Sequence, residues 1–132
     1  MTIRTLSLLS VLTAGTTAAT AGRTFTAQPH LRARAFAICA GRLAAVATRL
    51  NATGDPAATA ARRDADRFAA LLDAVLPAAL EQGVPANQPE RWRASGWGEA
   101  AHLLAEAHYS FDARRATQAE AALGLRLAAC RD

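Results

Sequence analysis

The chain has 132 residues, 52% of them apolar and 20% charged, with a formal net charge of +4. That length is one domain's worth, and that apolar share excludes intrinsic disorder. Alanine dominates the apolar residues and aromatics make up only 5%; alanine favours helix whereas strands draw on β-branched and aromatic residues, so the composition points to an all-α fold.

There is no lysine, and all 15 basic residues are arginines. Residues 1–54 hold Arg4, Arg23, Arg32, Arg34, Arg42 and Arg49 and no acid, whereas residues 55–132 hold nine arginines and all eleven acids. A cationic half suits anionic lipid, an acidic partner or nucleic acid. The plainer account is that these arginines face the acidic helices of their own fold, or solvent.

The segment MTIRTLSLLSVLTAGTTAATAG has the parts of a secretory signal. Arg4 gives a positive start, Leu6 to Leu12 a short apolar run, and Ala19-Thr20-Ala21 a small-x-small cleavage site. Residues 1–21 are therefore expected to be a cleaved signal peptide, with residues 22–132 forming one helical domain in the periplasm or outside the cell. An organellar transit peptide or a retained surface anchor are the rival accounts of the same segment.

After an extended lead-in at 22–28, Pro29 suits a first helical turn. Phe36, Cys39, Leu43, Val46 and Leu50 step by threes and fours, which places them on one inward stripe. Asn51 to Gly54 ends this helix. Asp55-Pro56 reads as an N-cap followed by the first helical residue of a second helix. Its inner face is Ala61, Ala65, Phe68, Leu72, Val75 and Leu76, with Arg62 and Asp66 able to pair outside. Pro77 is expected to kink or break it, because proline lacks the N–H and clashes with the carbonyl four residues back. One more turn reaches Gly83.

Pro89 opens a third helix, but Gly96 and Gly98 should weaken its start, leaving firm helix only from about Trp97. There Trp97, Ala101, Leu104, His108 and Phe111 share one face, expected to point inward. Ser110 or Asp112 caps a fourth helix with the stripe Ala116, Ala119, Leu123, Leu127 and Cys130. The expected fold is an antiparallel four-helix bundle with a Pro-kinked second helix, preceded by the signal segment.

Cys39 and Cys130 both fall on inward stripes, of the first and last helices. In an up-down-up-down bundle those helices are neighbours, and exported chains meet an oxidising compartment. A Cys39–Cys130 disulfide is expected.

Signals for chemistry are sparse. Glu99, His102 and Glu106 share a helix face and contain Glu-x-x-His, half of a di-iron pattern, but no second such pair exists and the face lies opposite the apolar stripe. They read as a solvated polar face, with metal ligation the sharper alternative. His108, on the apolar stripe, reads as a hydrogen-bonded core residue before a metal or haem ligand. No C-x-x-C-H, G-x-S-x-G, P-loop or dinucleotide motif occurs. Few serines follow the signal segment, Ser95 and Ser110 among them, and a Cys39–His108 dyad would require Cys39 to be unpaired. No catalytic residues, cofactor or nucleic-acid partner are expected.

Arg91, Trp92, Arg93 and Trp97 put aromatics beside guanidiniums, a composition favoured at binding hot spots. Together with Arg34, Arg42 and Arg49 of the first helix they are the candidate interaction residues. The sequence therefore points to a non-enzymatic module that binds protein or an anionic membrane surface. A helical metal- or ligand-binding protein, or an anchored accessory subunit, is the alternative.

Overall fold

The computed structural model describes residues 28–131, so the expected signal segment and all but the last residue of the lead-in lie outside the described residues. The described residues form four α-helices: α1, Pro29–Ala52; α2, Ala58–Glu81; α3, Gln88–Tyr109; and α4, Ala113–Ala128. No strand occurs among them.

The helix ends follow from a few residues. Gly54, at φ 68°, and Gly83, at φ 92°, take the left-handed conformation that only glycine adopts without strain. Each closes a Schellman motif. Gly54 N–H donates to Asn51 O and Asp55 N–H to Leu50 O, while Gly83 N–H donates to Leu80 O and Val84 N–H to Ala79 O. At the start of α4 the Asp112 carboxylate accepts from the backbone N–H groups of Arg114 and Arg115, at 2.9 and 3.3 Å.

Two local expectations are corrected, the starts of α2 and α3, and the Pro77 alternatives are narrowed. Helix α2 begins at Ala58 rather than Pro56; the Asp55 carboxylate instead accepts from Ala57 N–H at 2.8 Å and fixes the preceding turn. Helix α2 also runs through Pro77 to Glu81 without a break. Pro77 is exposed, so the carbonyl it leaves unpaired on that turn faces water. Helix α3 starts at Gln88, one residue before Pro89, and includes Gly96 and Gly98. The Arg62–Asp66 pair is not among the salt bridges of the described residues.

The helices alternate in direction along the chain, yet their packing order is not that of a closed square. Helix α1 is central, with α2 on one side and α3 on another; α4 packs on α3 and meets α1 only lightly. Among the described residues no extended contact joins α2 to α3. The parallel pair α1 and α3 is in close contact, as the rising sequence of partners Ile38–Gly96, Arg42–Glu99 and Arg49–Tyr109 records.

Small residues make this arrangement possible. Ala33, Ala37, Gly41 and Ala45 recur every fourth residue of α1, and all are buried. A methyl group on Gly41 would overlap the Arg93 carbonyl and lie 2.8 Å from Trp97 N, and one on Gly96 would overlap the Ile38 carbonyl. The two backbones therefore touch, and Gly96 marks a crossing rather than a weak start. The deepest positions of α1 are these small residues, together with Ala40 and Ala47, while Phe36, Leu43, Val46 and Leu50 of the expected stripe are only partly buried. A helix flanked on several sides buries more than one stripe.

On α2 the expected face holds: Ala61, Ala65, Phe68 and Leu72 are buried, and Ala79 joins them. Phe36 and Phe68 meet with ring centroids 6.1 Å apart. No large side chain of the described residues is fully buried. The core is thin, since each alanine removes little apolar area from water.

Candidate interaction surface

Cys39 of α1 and Cys130, just past α4, form a disulfide with Cα atoms 5.6 Å apart across a separation of 91 residues. Both are buried, against Ala40 and Phe68. The pairing removes the Cys39–His108 dyad, since a disulfide sulfur is no nucleophile. On the chain-entropy model a loop of this length stabilises the fold by about 4 kcal/mol. The expected adjacency of first and last helices thus exists chiefly here, as a covalent clasp over a light contact.

Beside the clasp lies an ion triad. Arg42 of α1 donates from Nε and Nη2 to Glu99 Oε2 of α3, at 2.9 and 2.7 Å. Arg126 Nε of α4 sits 2.7 Å from Glu99 Oε1. Arg42 also donates to the Arg126 carbonyl at 3.2 Å. One carboxylate thus ties three helices together. Only 13% of the Arg42 side chain is exposed, so this arginine is a structural group and not part of a free basic surface.

The same packing corrects the account of the Glu99–His102–Glu106 face. It turns toward α4: Glu106 takes both its oxygens to Arg115 Nη2, at 3.1 Å each, and Glu99 is occupied as described. His102 is exposed at the edge of a shallow groove between α3 and α4. Among the described residues no group of three or more His, Cys, Asp or Glu side chains could hold a metal ion.

The Arg91–Trp97 cluster divides. Trp92 packs against the core of Ala33, Ala37, Leu72 and Ala79. Trp97, five residues on and so well round the helix, is 46% exposed. Arg91 is exposed; Arg93 approaches Glu90 at 4.0 Å, with its Nε buried and without a partner. Arg34 is exposed on α1. Arg49 donates to the Tyr109 hydroxyl at 2.7 Å and lies over its ring at 5.2 Å. The expected core histidine, His108, is exposed, and Phe111 of the same stripe is wholly so. Trp97 and Tyr109 on the apolar side of α3 stay exposed, because the close approach to α1 is made by backbone at Gly96.

What results is a shallow apolar groove of about 250 Å³ between α1 and α3, with Ala45, Thr48 and Arg49 on one wall and Trp97, Leu104 and Tyr109 on the other. Tyr109 is 67% exposed, and Phe111 stands just beyond it in the α3–α4 turn. Phe111, expected to point inward, stands in solvent, and Tyr109, outside the expected face, lines the groove. A signal was available: Asp112 is the helix cap, so Phe111, immediately before it, belongs to a turn, where a side chain seldom reaches the core.

No family model, curated protein or solved structure matches the chain.

Proposed function

We propose that this small disulfide-linked helical protein is exported and acts as a non-enzymatic interaction module, with the exposed Trp97–Tyr109–Phe111 face as its binding surface. The disulfide is the observation that carries the reading. A bond between two buried cysteines 91 residues apart persists in an oxidising compartment and is rare in the cytosol. The leader-like composition of residues 1–21 supports the same compartment from an independent part of the chain. The binding role rests on the three aromatics, whose exposure leaves apolar surface that the fold does not use.

The test combines location with surface. Protein recovered from its native host should lie outside the cytosol, lack residues 1–21, and yield no free thiol when denatured without reductant. Photo-crosslinking from position 97 should give adducts that crosslinking from position 70, an exposed site on α2, does not. Two free thiols in native material, or identical adducts from both positions, would refute the reading.

A further inference from the structure

The end of α1 carries the tripeptide Asn51-Ala52-Thr53. An asparagine followed by any residue but proline, and then by serine or threonine, is the acceptor signal for N-linked glycosylation of exported chains. The structure adds three observations to the match of residues. Asn51, Ala52 and Thr53 are all exposed, where helix α1 gives way to the turn at Gly54. The Asn51 carboxamide makes no hydrogen bond among the described residues, whereas the neighbouring Thr48, Thr53 and Asp55 side chains each bond to backbone. Asn51 also borders an open groove of about 250 Å³ between α1 and α2, lined by Ala47, Ala58, Thr59, Arg62 and Arg63.

From this placement, and resting on the export reading above, we infer that Asn51 is an N-glycosylation site. The donor is an oligosaccharide linked through a diphosphate to a polyprenyl lipid. Asn51 Nδ2 bonds to the anomeric carbon of the first sugar, and the bond from that carbon to the diphosphate oxygen breaks. The lipid diphosphate leaves with that electron pair, and the nitrogen gives up one proton to solvent; nothing is oxidised or reduced. The folded chain accommodates the product, because Asn51 and its neighbours in the tripeptide are exposed and no core side chain has to move. The groove offers the first sugar apolar alanine surface and two guanidinium donors, since neither Arg62 nor Arg63 has a carboxylate at salt-bridge distance among the described residues. Ala47 and Asn51 line this groove against α2, whereas Ala45, Thr48 and Ala52 line the one against α3. The glycan therefore leaves Trp97 and Tyr109 uncovered. The other asparagine, Asn87, is also exposed, but Gln88 and Pro89 follow it and it lacks the hydroxyl two residues on. It serves as an internal control.

The test is peptide mapping of the full protein recovered from its native host, by tandem mass spectrometry with fragmentation that keeps sugars on their side chains. A hexose- or N-acetylhexosamine-containing mass is expected on Asn51, with Asn87 bare. Variants made in the same host then separate the acceptor signal from the helix end. The Thr53 hydroxyl also donates to the Arg49 and Leu50 carbonyls, at 3.3 and 3.0 Å, so its loss alone would confuse a cap with a signal. Thr53→Ser keeps both functions and should keep the sugar. Asn51→Gln and Thr53→Ala should each lose it completely. The wild-type peptide decides the matter even where a variant fails to fold. Bare Asn51 in the native protein overturns the proposal, and so does an added mass that persists in Asn51→Gln. The export reading is judged apart from this, by the loss of residues 1–21 and the absence of free thiols. Protein that meets both of those criteria with Asn51 bare sinks the glycosylation site and leaves the export reading standing.

Discussion

Gly41 of α1 and Gly96 of α3 are reciprocal: each presents a bare Cα to the backbone of the other helix, Gly41 against Arg93 and Trp97, Gly96 against Ile38. In an exposed helix a Gly→Ala change stabilises by about 0.5–1 kcal/mol. Here the added methyl has only backbone to displace, and that repulsion wins. Gly41→Ala and Gly96→Ala should each lower stability by about 3 kcal/mol, by forcing the central crossing apart. Gly98 and Gly124 have open space where a Cβ would go, so Gly98→Ala and Gly124→Ala should raise it by about 0.5–1 kcal/mol. Urea unfolding followed by circular dichroism checks all four; four changes of one sign would show that the crossing is not close.

That crossing also explains what the sequence did and did not disclose. Four helices were legible from periodicity and from Gly54, Gly83 and Asp112, and the disulfide from two cysteines on inward stripes. The order of packing was not. A period of threes and fours identifies one apolar stripe, and it chose the larger residues Phe36, Leu43 and Leu50. Helix α1 has neighbours on several sides, so the decisive positions were alanines and a glycine that carry almost no hydropathic signal. On α3 the same method selected Trp97, Leu104 and Phe111 as the inner face, because nothing in a pattern of hydropathy says that a backbone contact at Gly96 has claimed the interior. Of the exposed aromatics Trp97, Tyr109 and Phe111, the sequence singles out only Trp97 as an interaction residue, because exposure at the end of α3 depends on which side of that helix meets α1.

The clasp should be separable from the core. Helix α4 has a single buried residue within its length, Ala119, and its link to α1 is mainly the disulfide and the Arg42–Glu99–Arg126 triad. Cys39→Ala/Cys130→Ala should cost about 4 kcal/mol. Hydrogen exchange should rise most over the second half of α4, while the α1–α2 pair keeps more of its protection. Uniform loss of protection would mean that α4 is integral to the core.

Within the triad the three side chains are unequally exposed, at 13% for Arg42, 32% for Glu99 and 57% for Arg126. The cost of removal should follow that order of burial. Glu99→Gln leaves the Arg42 guanidinium without its counter-charge and should cost about 1–3 kcal/mol. Arg126→Ala removes an arm that water can replace and should cost less than about 1 kcal/mol. A double-mutant cycle between Arg42 and Glu99, repeated at high salt, measures the coupling; a coupling abolished by salt would place the pair at the surface.

The two tryptophans should report different surroundings. Trp92 is packed against the alanine core and Trp97 lines the open groove. Iodide should quench roughly the Trp97 share of the emission, leaving a component that Trp97→Phe isolates and that iodide barely reaches. Strong quenching in Trp97→Phe would expose Trp92 and contradict its place in the core.

Pro77 gives a prediction whose sign must be argued from opposing effects. It lies inside α2, is exposed, and cannot donate to the carbonyl four residues earlier. Pro77→Ala restores that hydrogen bond and removes the ring's clash, together about 3 kcal/mol in a helix interior. Against this, proline restricts the unfolded chain, and losing it costs about 1 kcal/mol. Exposure of the site means that the ring contributes little packing to offset the difference. The net expectation is a gain of about 2 kcal/mol, read as a higher urea midpoint with an unchanged slope. A loss of stability would show that proline at this position favours the backbone geometry in which Phe68, Leu72 and Ala79 reach α1 together.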